Sequence, residues 1–121
     1  MSQVTLPGLA HATGSLNKYR YPLGGFVYTD GVHYVMENGA CWLVTDIFAQ
    51  LAANPKLKGV DFLVINFIPK RGGEDAYVEY KTDDGEVLVK QEYFATDLVV
   101  EVNFFYLDEQ VQKILILRSE Y

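Results

Sequence analysis

Apolar residues recur at every fourth position between Ala40 and Ala53, with Leu43, Ile47 and Leu51 in one row and Ala40, Val44 and Phe48 beside it. This spacing predicts a helix with a single apolar stripe, stopped by Asn54-Pro55. Beyond Asp61 the pattern shifts to β-branched and aromatic runs broken by turn residues. These runs predict strands over Asp61–Ile68, Ala76–Thr82, Glu86–Tyr93 and Leu98–Leu107, with Lys113–Arg118 as a fifth candidate. Thr82-Asp83-Asp84-Gly85 reads as a tight hairpin turn and Asp108-Glu109-Gln110 as a second polar turn, so successive strands are expected to pair antiparallel. The expected fold is α+β: an antiparallel sheet of four or five strands with one main helix packed on one face. Trp42 is expected to be mostly buried at that contact.

The first forty residues are less regular. Residues 1–17 are small and polar, with Leu6, Leu9 and Leu16 as a sparse apolar register, and read as a docking arm. Pro22 biases Tyr21 to extended geometry and Gly24-Gly25 breaks any helix there. Phe26-Val27-Tyr28 reads as a short strand. Thr29-Asp30-Gly31 reads as the start of a short helix capped by the Asp30 carboxylate and ending near Asn38-Gly39. Pro69 to Asp75, with the Gly72-Gly73 pair, makes one long connection.

At 121 residues the chain fits a single domain spanning 1–121. No run approaches the ~18 apolar residues of a membrane helix, and the first residues show no secretory pattern, so no membrane association and a cytoplasmic setting are expected. A lone cysteine, Cys41, agrees with a reducing compartment and excludes an intrachain disulfide.

Charge changes the picture more. Residues 1–58 carry four basic and three acidic groups, leaving +1, whereas residues 59–121 carry six basic and thirteen acidic groups, leaving −7. An acidic half without a basic stripe argues against direct nucleic-acid binding. It suits solvation of a sheet face, or an acidic patch that meets a basic partner.

Candidate chemistry is sparse. His33 and Glu37 stand one helical turn apart, but a metal shell needs further donors at recognisable spacing, so no metal is expected. Cys41 with His33 is the one nucleophile–base pairing the sequence offers, although Cys41 beside Trp42 also packs well as a small apolar side chain. The glycine pairs match no phosphate loop or dinucleotide fingerprint, and no cofactor is expected. Asp83, Asp84 and Glu86 lack the alternating donors of a calcium loop. Nine tyrosines and seven phenylalanines exceed what one helix and a small sheet need to bury, which points to rings on an interaction surface.

Three segments together form a pattern: Tyr28-Thr29-Asp30-Gly31-Val32-His33-Tyr34, Glu37-Asn38-Gly39-Ala40-Cys41-Trp42-Leu43, and the terminal Leu117-Arg118-Ser119-Glu120-Tyr121. From Leu16 to Tyr121 the chain resembles a family of small bacterial proteins known only as a domain of unknown function. In that family a Tyr-Thr-Asp-Gly-Val-x-Tyr segment precedes a Trp-Leu helix and the chain closes on Ser-Glu-Tyr. The family commonly has Pro before that ending, where this chain has Arg118. The resemblance implies an accessory protein of plasmids, phages and other mobile elements, without catalytic residues to carry over.

The expected function is a non-enzymatic protein-interaction domain, an accessory or anti-defence factor of a mobile element or phage. Its partner-binding candidates are Tyr28, Asp30, Tyr34, Glu79, Glu86, Glu92 and Glu101. The alternatives are a small hydrolase or transferase using Cys41 and His33, and a small-ligand module with an aromatic pocket between the Tyr28–Tyr34 segment and the sheet. A protein partner is expected. So is a homodimer through the last strands or the tyrosine-rich segment before the helix, because the apolar runs Leu98–Leu107 and Lys113–Leu117 would be aggregation-prone as exposed edges unless a second copy or the arm covered them.

Overall fold

A computed structural model describes residues 18–22, 25–70, 75–94, 96–109 and 112–120. The expected arm at 1–17, with Leu6, Leu9 and Leu16, lies outside the described residues, as does part of the connection after Pro69.

The elements run β1 (Lys18–Arg20), β2 (Phe26–Thr29), α1 (Asp30–Val35), a kinked connection (Met36–Ala40), α2 (Cys41–Ala53), β3 (Phe62–Pro69), β4 (Ala76–Lys81), β5 (Val87–Tyr93), β6 (Val102–Glu109), β7 (Gln112–Leu117) and a 3-10 turn (Arg118–Glu120). Between α1 and α2 the chain kinks at Asn38 and Gly39, where Gly39 has φ 101°. Glycine takes that left-handed conformation without a Cβ clash. Asn54 ends α2 in extended geometry, as Pro55 requires of the residue before it.

Among the described residues the sheet has seven strands in the order β1-β2-β7-β6-β3-β4-β5. It is mixed, because β2 pairs with β7 in parallel while the other pairs are antiparallel. The α+β class and the single main helix agree with expectation, whereas the sheet of four or five antiparallel strands is corrected to seven strands with one parallel pair. The short β1 and β2 extend the sheet beyond the second half, and β6 inserts beside β3 instead of following β5. The runs expected as edges are therefore interior: β6 lies between β3 and β7, and β7 between β6 and β2.

One face of the sheet packs on α2. Leu43, Val44, Ile47, Phe48 and Leu51 of the helix are buried, and so are Leu63, Ile65 and Phe67 of β3, Val78 and Tyr80 of β4, and Phe104 and Tyr106 of β6. Alternation along the strands places the intervening residues on the outer face. There the register sets Asn66 opposite both Asn103 and Glu79, Glu79 opposite Lys90, and Tyr77 opposite Glu92. Trp42 is half-buried, not mostly buried. It sits at the margin of the helix–sheet contact, edge-on to Phe67 and Tyr93 at ring separations of 6.0 and 5.5 Å.

Candidate functional site

The parallel pairing of β2 and β7 brings two distant segments together. Both strands run toward the same end of the sheet, so the 3-10 turn after β7 arrives at the start of α1, which follows β2. There the Glu120 carboxylate collects three donors. Oε1 accepts from Thr29 Oγ1 at 2.6 Å and from the Leu117 N–H at 2.8 Å, and Oε2 accepts from the Gly31 N–H at 2.9 Å. The first turn of a helix leaves its N–H groups without intrahelical partners, and a carboxylate there satisfies one of them and opposes the helix dipole favourably.

Asp30 was expected to supply that cap, but no side chain at the N-cap bonds the first turn of α1. The cap comes instead from Glu120, eighty-nine residues along the chain from Gly31. Gly31 is also required sterically: a Cβ added there would lie 2.5 Å from the Glu120 carboxyl carbon and 2.7 Å from Leu117 Cδ1. Thr29, Gly31 and Glu120 thus join the first and last of the three sequence segments into one unit. Arg118 opens the terminal turn and is exposed, so arginine is accommodated there.

Asp30 has a different role, accepting a hydrogen bond from the Tyr19 hydroxyl at 3.0 Å. That bond, followed by partial desolvation, holds the Tyr19 phenol above its ordinary pKa. The Tyr19 ring stacks on His33 at 4.2 Å and on Tyr28 at 5.4 Å, and His33 Nε2 pairs with Glu37 one turn further along. Tyr34 is half-buried on the same short helix and packs against the core. Of the expected partner residues, Tyr28, Asp30 and Tyr34 therefore share one corner.

The carboxylates lie elsewhere. Glu79 and Glu92 share the outer face of β4 and β5, Glu86 sits in the turn joining those strands, and Glu101 immediately precedes β6, one residue beyond the Phe67–Val102 pair. β2 and β4 are four strand spacings apart, about 19 Å. The seven residues therefore form two groups. Within the second group, Glu92 accepts a hydrogen bond from Lys70 Nζ at 2.8 Å, which holds its carboxyl below the usual range.

Cys41 is exposed at the start of α2, beyond the kink, and among the described residues no hydrogen bond joins it to His33. Among the described residues no group of three or more His, Cys, Asp or Glu side chains is placed to hold a metal, and no helix is long and apolar enough to cross a membrane. A cavity of about 360 Å³ opens where the C-terminal part of α2 meets the strands, lined among others by Phe26, Leu51, Leu57, Lys58, Tyr106 and Lys113. Tyr28 and Tyr34, expected to border an aromatic pocket, are not among its lining residues.

Sequence reading left Tyr19 and Glu120 without a role. Tyr19 was visible as one of the tyrosines Tyr19, Tyr21, Tyr28 and Tyr34 that gather before the long helix, and the Ser-Glu-Tyr ending marks Glu120 but does not name its partners.

Among curated proteins none matches this chain. Among solved structures, a protein of unknown function from Enterococcus faecalis is similar at 18% identity, with a TM-score of 0.52, covering 86% of this chain and 91% of that one. At that identity the likeness is one of fold. A family model matches residues 3–121, and the chain accordingly belongs to DUF6876, a family of unknown function.

Proposed function

We propose that this chain is a non-enzymatic protein-interaction domain, an accessory or anti-defence factor of a bacterial mobile element or phage that occludes a basic surface on a host protein. The observation that carries this reading is the charge of the β4–β5 hairpin. Residues 75–94 hold six acidic side chains and two basic ones. Two of the six, Glu79 and Glu92, stand on the sheet face opposite α2, and Glu86 is exposed in the turn. Carboxylates on a firm two-stranded support attract a basic partner at long range and fix its register. The resemblance to small proteins of plasmids and phages supports the setting.

The test is capture from a bacterial lysate on immobilised protein, with wild type beside a Glu79→Lys/Glu86→Lys variant. A host protein retained by wild type, released by ~0.5 M salt and at least tenfold depleted on the variant is expected. Equal retention on both overturns the reading.

A second reading, a small-ligand module, draws on the 360 Å³ cavity, where Lys58, Lys113 and Asp108 stand beside Phe26, Leu51 and Leu57. The two lysines outnumber the one carboxylate, so the lining suits an apolar ligand with an acidic group. Thermal stabilisation by small aromatic carboxylates, lost in Lys113→Ala, would support it, and no stabilisation across such a series would remove it.

A further inference from the structure

β5 ends the sheet, paired with β4 on one side and with no other described strand on the other. A free edge is a template for another strand, and proteins usually blunt it with proline, charged side chains, a bulge or a covering element. Here β5 contains no proline, its register irregularity falls opposite Tyr80/Lys81 at the start of the strand, and its two charges, Lys90 and Glu92, are of opposite sign. An open groove of about 490 Å³, lined in part by Asp46, Ala49, Gln50 and Gln91, runs between α2 and this edge. Among the described residues the two most exposed large apolar side chains lie at the ends of this strand, Val87 at its first position at 45% and Phe94 just beyond its last at 72%.

The charge pattern of β5 specifies what fits there. When two copies of a strand pair antiparallel about a two-fold axis normal to the sheet, one residue faces itself and the others face their mirror positions. Centred on Gln91, the pairing sets Lys90 of each copy opposite Glu92 of the other, giving two opposite-charge pairs on the outer face. On the helix face it sets Val89 opposite Tyr93, both of which pack against the core. Moving the centre one residue either way puts Lys90 opposite Lys90, or Glu92 opposite Glu92. Directly opposed unlike charges stabilise a strand pair and like charges destabilise it.

We propose that β5 is a self-pairing edge, its partner a second copy of this chain joined antiparallel in the Gln91-centred register into a continuous fourteen-stranded sheet. This rests on reading the β4–β5 hairpin as the interacting part of the molecule and names its first partner. The homodimer expected from the sequence at the last strands or at the tyrosine-rich segment before the helix is thereby assigned to β5, β6 and β7 being interior. Glu92 keeps its bond to Lys70 through Oε1. Its second carboxylate oxygen then faces Lys90 of the other copy.

The experiment is light scattering with analytical ultracentrifugation, from about 5 to 200 μM, on wild type, Lys90→Glu, Glu92→Lys, the double exchange, and an equimolar mixture of the two single variants, each checked for folding by circular dichroism. Wild type should move toward twice 13.7 kDa with concentration. Each single variant, which opposes like charges, should dimerise about tenfold or more weakly. The double exchange restores opposite charges within one sequence, and the mixture restores them between two sequences, so both should recover. A wild-type mass that stays monomeric to 200 μM overturns the proposal. So do single variants that dimerise as wild type does, or a mixture that associates no better than its components. Loss of dimerisation with capture of a host protein intact would overturn self-pairing alone. Failure of capture with the charge pattern confirmed would overturn the occlusion reading alone.

Discussion

Glu120→Ala would remove the acceptor of three hydrogen bonds at once and orphan the Thr29 hydroxyl, the Gly31 N–H and the Leu117 N–H. Thr29 is only 2% exposed, so water does not easily replace the lost partner. Hydrogen bonds to a charged group contribute ~1.5–3 kcal/mol each, but Glu120 sits near the surface and truncation allows some hydration. A net cost of about 2–4 kcal/mol follows, a large share of the ~5–15 kcal/mol typical of a domain. At about 3–5 °C per kcal/mol for a chain of this length, Tm should fall by roughly 10 °C. Glu120→Gln keeps one oxygen acceptor and should cost about half as much.

The decisive variant is Gly31→Ala, alone and combined with Glu120→Ala. In wild type the new methyl would lie 2.5 Å from the Glu120 carboxyl group, which its three donors hold in place, and 2.7 Å from Leu117 Cδ1. Overpacking of this kind costs about 1–3 kcal/mol. With Glu120 truncated, one of the two obstacles disappears, and only Leu117 must move. The pair should therefore be non-additive, the double variant being about 1–2 kcal/mol more stable than the sum of its parts. Urea unfolding followed by circular dichroism measures all four corners of the cycle. Additivity within ~0.5 kcal/mol would refute the claim that Gly31 is present to admit the Glu120 carboxylate.

Burial pushes the phenols of Tyr80, Tyr93 and Tyr106 well above their ordinary value, and for Tyr93 the Asp46 charge adds to it. Because these groups stay neutral when folded and ionise when unfolded above pH ~10, their contribution is complete below that pH and is lost as pH rises, by up to ~1.4 kcal/mol per pH unit for each phenol. Denaturant midpoints that stay flat from pH 9 to 11.5 would contradict this. The Glu92 carboxyl, held low by Lys70, should titrate below the usual carboxylate range by NMR and return toward it in Lys70→Met; an unchanged midpoint would show that the bond does not persist in solution. Trp42→Ala should cost about 2–3 kcal/mol, less than the ~3–5 of a fully enclosed ring, since Trp42 is half-buried against Phe67 and Tyr93. A loss below ~1 kcal/mol in urea unfolding would mean the indole does not brace the helix on the sheet.

Elements with a long period were legible in the sequence. The four-residue spacing of Leu43, Ile47 and Leu51 located α2 to within a residue of its start at Cys41, and Asn38-Gly39 marked the kink before it. Strands β3, β4 and β5 came within a residue or so of their runs of apolar and β-branched side chains. β1, with only three residues, has too few positions to show alternation, and nothing local to Phe26–Thr29 identifies β7 as its neighbour. That parallel pairing is a contact between residues nearly ninety positions apart, and the Glu120 cap depends on it. The terminal motif could be seen as a motif without its meaning being readable.

Which strands are edges was the main misreading, and the physical signal for it lay within the same runs. β6 alternates Phe104 and Tyr106 with Phe105 and Leu107, and β7 runs Ile114, Leu115, Ile116, Leu117. Such runs are apolar on both faces, the composition of strands sheltered from water on both sides and flanked by other strands. Taken as a hazard, they suggested a dimer at the end of the chain. Taken as a mark of interior position, they require a covering strand beside β7, which β2 supplies. β5 instead has Lys90, Gln91 and Glu92 in succession, a hydrophilic centre that stays soluble at an edge, with exposed apolar side chains only at its first residue, Val87, and just beyond its end at Phe94. A free strand of this kind resists indiscriminate aggregation because its centre is charged and the two registers adjacent to the complementary one place like charges together. The same property makes the one complementary register selective for a second copy.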